Sequence, residues 1–119
     1  MPFKSLLGGL VDSVPGARGA ILVDWEGEAV DYVARMDDYD LRILGAHNGL
    51  ILDRLRAAVD RLEGARLEEI VITTSTSQTL VMPVNPEYFV VLTLGHNDAL
   101  GRARFELRRC TVQLSREIG

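Results

Sequence analysis

The sequence predicts one α+β domain, a single sheet covered by helices, with elements in the order α-β-β-α-β-β-β-α. Three observations carry this reading. Apolar residues recur at helical spacing near both ends and through a long central stretch. Between these lie five short runs with β character, several of them separated by brief polar turns. No internal repeat, low-complexity tract or linker marks a second unit, so residues 1–119 are expected to form one domain.

The opening segment carries Phe3, Leu6, Leu7, Leu10, Val11 and Val14, an amphipathic helical pattern. Gly8, Gly9 and Asp12 interrupt what would otherwise resemble the apolar core of a signal peptide. Pro15-Gly16 ends the helix, and Gly19 to Asp24 (G-A-I-L-V-D) reads as a strand buried on both faces. Trp25-Glu26-Gly27 turns the chain, with Trp25 expected either exposed or half-exposed in the turn as a contact site, or packed over a neighbouring helix end. Glu28 to Ala34 alternates as the second strand of a hairpin near a sheet edge.

Asp37, Asp38 and Asp40 then lead into a long helix expected from Leu41 to about Glu63, with Gly64 as its stop. Its main apolar stripe is Leu41, Leu44, Asn48, Leu52, Leu55, Val59 and Leu62, widened by Ile51 and Ala58. A weaker row of Ile43, Ala46, Leu50 and Ala57 lies roughly opposite, bordered by His47, Arg54 and Arg61 at heptad intervals. A helix that only covers a sheet needs one apolar face, so the second row either reflects good helix formers or meets a partner.

Leu67 to Ser75, Thr79 to Val84 and Tyr88 to Leu94 follow as an antiparallel meander, joined by Thr76-Ser77-Gln78 and Asn85-Pro86-Glu87. Leu67 to Ser75 has strong β character and little charge at its centre. Exposed at an edge, such a strand would need cover or pairing. Pro83 cannot donate to a ladder, so a bulge or an outward-facing position is expected there. The last helix takes Asn97 or Asp98 as its N-cap and places Leu100, Ala103, Leu107, Cys110 and Leu114 on one stripe.

Composition narrows the function classes. Seventeen acidic against thirteen basic residues leave a net charge of -4, which argues against general nucleic-acid binding. The single cysteine forms no intrachain disulfide, and no run approaches the length that spans a bilayer, so a cytoplasmic protein without membrane insertion is the default expectation. The phosphate cradle G-x-x-x-x-G-K-[ST] is missing, as are C-x-x-C, H-E-x-x-H and EF-hand spacings. No cofactor, metal or catalytic residue is therefore expected. A pair formed by Cys110 with His47 or His96 is weaker than the reading of Cys110 as a small core hydrophobe. The acids Asp24, Glu26, Glu28, Asp31, Asp37, Asp38 and Asp40 read as a solvated face.

Taken in order, the opening helix before G-A-R-G-A-I-L-V-D-W-E-G-E-A-V, the long helix, I-V-I-T-T then L-V-M-P-V, Y-F-V-V-L-T-L and L-G-R-A-R-F-E-L-R-R resemble a roadblock domain over nearly the whole chain. That family includes the roadblock dynein light chains and the bacterial polarity regulator MglB. The resemblance implies a five-stranded antiparallel sheet of roadblock/profilin-like form, with the long helix on one face and the terminal helices on the other. It implies a homodimer in which the third strand, through Ile70, Val71, Ile72 and Thr73, pairs with its copy at the sheet edge. Bacterial relatives bind small Ras-like GTPases, and some stimulate hydrolysis without supplying a catalytic arginine. The expected GTPase-binding surface is Ile43, His47, Leu50, Arg54, Ala57 and Arg61 on the long helix. The same residues are open to a second reading, the helix-to-helix contact of the dimer. A dimeric adaptor that ignores nucleotide state is the alternative function; a small-ligand sensor or enzyme would need a polar cluster that the sequence does not display.

Overall fold

The chain resolves into three helices and five strands in a computed structural model that describes residues 2–96 and 99–119. They are α1 (Pro2–Ser13), β1 (Ala17–Asp24), β2 (Ala29–Ala34), α2 (Asp38–Val59), β3 (Ile70–Thr73), β4 (Ser77–Pro83), β5 (Tyr88–Gly95) and α3 (Leu100–Ile118). The strands form one antiparallel sheet in the order β2-β1-β5-β4-β3, so β2 and β3 are its edges. The fold is the expected five-stranded α+β arrangement.

Both faces of the sheet are covered, which explains the continuous apolar run of β1. On one face α1 and α3 lie side by side, α1 over β1 and β2 and α3 over β4 and β5. Leu7, Leu10 and Val11 of α1 meet Ala20, Leu22, Val90 and Leu92 of the sheet and Ala103, Leu107 and Leu114 of α3, all of them buried. On the other face α2 packs chiefly on β1 and β2, and Leu41 and Leu52 join Ile21, Val23, Val81, Phe89 and Val91. The Thr79 and Thr93 hydroxyls bond each other at 3.3 Å across β4 and β5.

The turns are made by short polar side chains bonding their own backbone. Asp24 Oδ1 accepts from the Glu26 and Glu28 amides, and Gly27, at φ +89°, closes the β1–β2 hairpin. Asp37 caps α2 by accepting from the Asp40 amide at 3.0 Å. Asn85 accepts from the Glu87 and Tyr88 amides in the β4–β5 turn. The acidic residues expected to form a solvated face thus include a hairpin brace and a helix cap.

Several expectations need correction. Helix α2 stops at Val59 rather than Glu63; Asp60 caps it with its amide on Arg56 and Ala58, and Gly64, at φ +77°, belongs to the turn beyond. The buried face of α2 is Leu41, Gly45, Asn48, Gly49 and Leu52, whereas Ile51, Leu55 and Leu62 are exposed. The glycines were unscored by an apolar pattern, yet they set the helix on the sheet. A Cβ on Gly45 would stand 3.1 Å from Val23 Cγ2, and one on Gly49 would stand 3.0 Å from Phe89 Cζ. Strand β3 has four residues instead of nine, because residues 67–69 do not pair, and β4 begins at Ser77, inside the expected turn. Pro83 makes no bulge. It ends β4 opposite Phe89, beyond the reach of β3, whose pairing starts at Ile70 with Val81. The register shifts lie in β1 instead, at Leu22/Val23 and at Ala17/Gly19. Ala99 holds the capping position of α3, and the expected cap, Asn97 or Asp98, lies outside the described residues.

Trp25 is half-buried, its ring 5.2 Å from Phe89 and lying beneath the Arg56 guanidinium at 3.7 Å, so it packs against the last turn of α2. Phe89 is fully buried between this ring and Gly49. Phe89→Ala is expected to cost about 3–5 kcal/mol, measured from the urea midpoint. The same variant should move the Trp25 emission to the red by opening its surroundings.

Candidate protein interface

An antiparallel edge strand presents outward N–H and C=O groups that another chain can pair with, unless they are blocked. The two edges of this sheet differ in that respect. At β2 the Tyr32 amide donates to Asp31 Oδ1 at 2.9 Å, and Lys4 Nζ donates to the Tyr32 carbonyl at 3.0 Å while pairing with Asp31 at 3.4 Å. The exposed groups at the centre of that edge are therefore occupied by the chain's own side chains. At β3, among the described residues, no side chain bonds the backbone of Ile70, Val71, Ile72 or Thr73. Ile70 and Ile72 are half-buried towards the α2 side, and Val71 and Thr73 are exposed.

Helix α2 also shows an unusual amount of apolar surface. Ile43, Leu50, Ile51 and Leu55 are exposed on the helix, Leu50 at 66%, and Leu62 stands out just beyond it. Of the six residues singled out by sequence, Ile43, His47, Leu50, Arg54 and Ala57 all lie exposed along α2. Arg61 is also exposed but falls in the turn after Val59, off the heptad row it was assigned to. His47, Arg54 and Arg61 have no ion pair among the described residues. Ile51, Leu55 and Leu62 belong to the same exposed surface, although their spacing had placed them in the core. An apolar patch ringed by cationic groups has the composition of a protein contact.

Cys110 is buried beneath α1, its thiol donating to the Leu6 carbonyl at 3.8 Å, and His47 is on the helix that covers the opposite face of the sheet. Burial pushes the thiol up from 9.0 to about 11. Asp38 accepts from the Tyr32 hydroxyl at 3.1 Å, a tie between α2 and β2. Among the described residues no group of His, Cys, Asp or Glu side chains is placed to hold a metal ion, and no helix is long and apolar enough to cross a membrane.

Comparison with known proteins agrees with this fold. The family model for the Roadblock/LC7 domain matches residues 4–93. The crystal structure of a Roadblock/LC7 domain from Streptomyces avermitilis superposes with a TM-score of 0.88 at 16% identity, over 97% of this chain and 96% of that one. MglB from Myxococcus xanthus gives 0.89 at 12% identity, over 99% and 95%. MglC from Myxococcus xanthus gives 0.71 at 26% identity, over 98% and 99%. No curated protein sequence matches.

The raised thiol has a pH consequence. A folded value above the unfolded one means that the neutral thiol favours the folded state fully below pH 9.0, and that this contribution is lost as pH rises towards about 11. At pH 8 native Cys110 is expected to resist a disulfide reagent such as DTNB that labels the urea-unfolded chain rapidly. Equal rates in the two states would show that the thiol is accessible.

Proposed function

The chain belongs to the Roadblock/LC7 domain family, and from that premise we propose that it works as a homodimeric, non-enzymatic partner or regulator of a small Ras-like GTPase. The observation that carries the reading is the pairing of an unblocked β3 edge with an exposed apolar row on α2 that is bordered by His47, Arg54 and Arg61, none of which has an ion pair among the described residues. In this reading Ile70, Val71, Ile72 and Thr73 pair with the same residues of a second copy across a two-fold axis, because an isologous contact closes both exposed edges at once. The two sheets become continuous and the α2 helices come together, with Ile51 and Leu55 buried between them.

Leu50, with Ile43, His47, Arg54, Ala57 and Arg61 around it, then forms the GTPase-binding surface. Apolar side chains supply its centre and arginines its rim, the distribution found where a few residues dominate binding. Regulation requires that this surface bind the GTP and GDP forms unequally, since a partner shifts an equilibrium only by its difference in affinity. The dimer is expected in the cytoplasm.

Two measurements test this. Light scattering should give twice the chain mass at micromolar concentration, and Thr73→Pro should reduce it by removing a donor and adding a ring clash at the joined edge. A wild-type monomer contradicts the dimer. In binding to a Ras-like GTPase of the same organism, Leu50→Asp and Arg54→Glu should stay dimeric and each weaken affinity about tenfold or more. Unchanged affinity in both variants rules out the surface, and equal binding of the two nucleotide states makes the protein an adaptor.

A further inference from the structure

A groove of about 600 Å³ opens where α2 ends, between residues 60–68, the end of β4 and α3. It adjoins a shelf of about 320 Å³ on the outer side of α3, and the two share Arg108 and Val112. Trp25, Leu67, Met82 and Pro83 supply apolar lining to the groove. On α3 the side chains of Phe105 and Val112 are 61% and 48% exposed, so the apolar surface continues onto the shelf.

The charge on this surface runs against that of the chain. The protein carries a net charge of -4, yet the groove and shelf are lined by Arg56, Arg66, Arg108, Arg109 and Arg116, with Asp60 and Glu68 as the acids. Arg108 and Arg109 are partly engaged, with Glu69 at 3.4 Å and Glu106 at 3.1 Å. Arg66 in the groove and Arg116 on the shelf have no ion pair or hydrogen bond among the described residues.

We propose that this groove and shelf bind an acidic peptide segment of a protein partner, one that seats apolar side chains on Phe105 and Val112 and sets carboxylates against Arg66, Arg108 and Arg116. Guanidinium groups suit such a ligand because they bind carboxylates through paired donors and lie flat on apolar surface. The length of the cationic surface, from Arg66 to Arg116 with exposed apolar side chains between, fits an extended chain better than a single small anion. The acidic remainder of the molecule repels nucleic acid. Most of this surface lies on residues 66–68, the end of β4 and α3, and it meets the Ile43 to Arg61 row only at the end of α2, through Arg56 and Asp60.

Trp25 is the only tryptophan and lines the groove, so its emission reports occupancy there. The probe is a fluorescein-labelled peptide of glutamates interspersed with leucine and phenylalanine, titrated against the full chain and read by anisotropy; an unlabelled copy is titrated while Trp25 emission is read. Saturable binding that changes Trp25 emission is expected. Arg66→Glu and Arg116→Glu should each weaken it about tenfold or more. Arg42→Glu, the same charge change about 20 Å along α2 from Arg56, should leave it within about twofold. The proposal is overturned by absent binding, by equal binding of a lysine-for-glutamate peptide, or by equal loss in Arg42→Glu. It is also overturned if micromolar inorganic pyrophosphate displaces the peptide, which would make this a small-anion site. Self-association abolished by Arg66→Glu would make a second copy the occupant and overturn it as well.

Discussion

A sheet whose central strands are apolar on both faces needs cover on both, and three helices do not supply it evenly. Helices α1 and α3 lie side by side over one face, while on the other α2 packs chiefly on β1 and β2. The shortfall shows at β3, where Ile70 and Ile72 are only half-buried, and on α2, where Ile51 and Leu55 remain exposed. Burying such side chains fully is worth roughly 1.5–3 kcal/mol each. The free energy still available at that edge is what a second chain would gain by covering it.

The asymmetry of the edges directs where that cover comes. Tyr32 on β2 has its amide held by Asp31 and its carbonyl held by Lys4, so strand addition there would have to break two hydrogen bonds and an ion pair. Strand β3 has no such guard among the described residues. The acidic residues near β2 are likewise engaged, Asp24 in the hairpin turn and Asp37 in the helix cap. On the far side, Glu69 holds Arg104 and Arg108 and so ties the approach to β3 onto α3.

Much of this was legible in the sequence because it rests on local pattern. The G-A-I-L-V-D run is apolar without alternation, and β1 is indeed covered on both faces; the aspartates near residue 37 marked the start of the long helix, whereas its end at Val59 comes more than a turn before Gly64. What escaped depends on contacts between distant residues. Leu55 and Leu62 continue the apolar spacing in the sequence, but both are exposed and Leu62 falls past the end of the helix, so a core pattern became a surface one. Gly45 and Gly49, which carry no side chain to score, are buried because they let α2 approach Val23 and Phe89. The candidate residues Ile43, His47, Leu50, Arg54 and Ala57 lie exposed along α2, while Arg61 falls in the turn past the early helix end. The guard on β2 was invisible, since Lys4 and Asp31 are far apart in sequence and meet only in the fold.

The central claim is that the β3 edge is closed by a second copy of the chain. Amide hydrogen exchange across Ile70–Thr73, followed as protein concentration is raised, tests it most directly because it reads the edge amides themselves. The account predicts that outward amides of β3 become protected as concentration rises while the already guarded Tyr32 amide does not change. Fast exchange of the β3 amides at every concentration would contradict it.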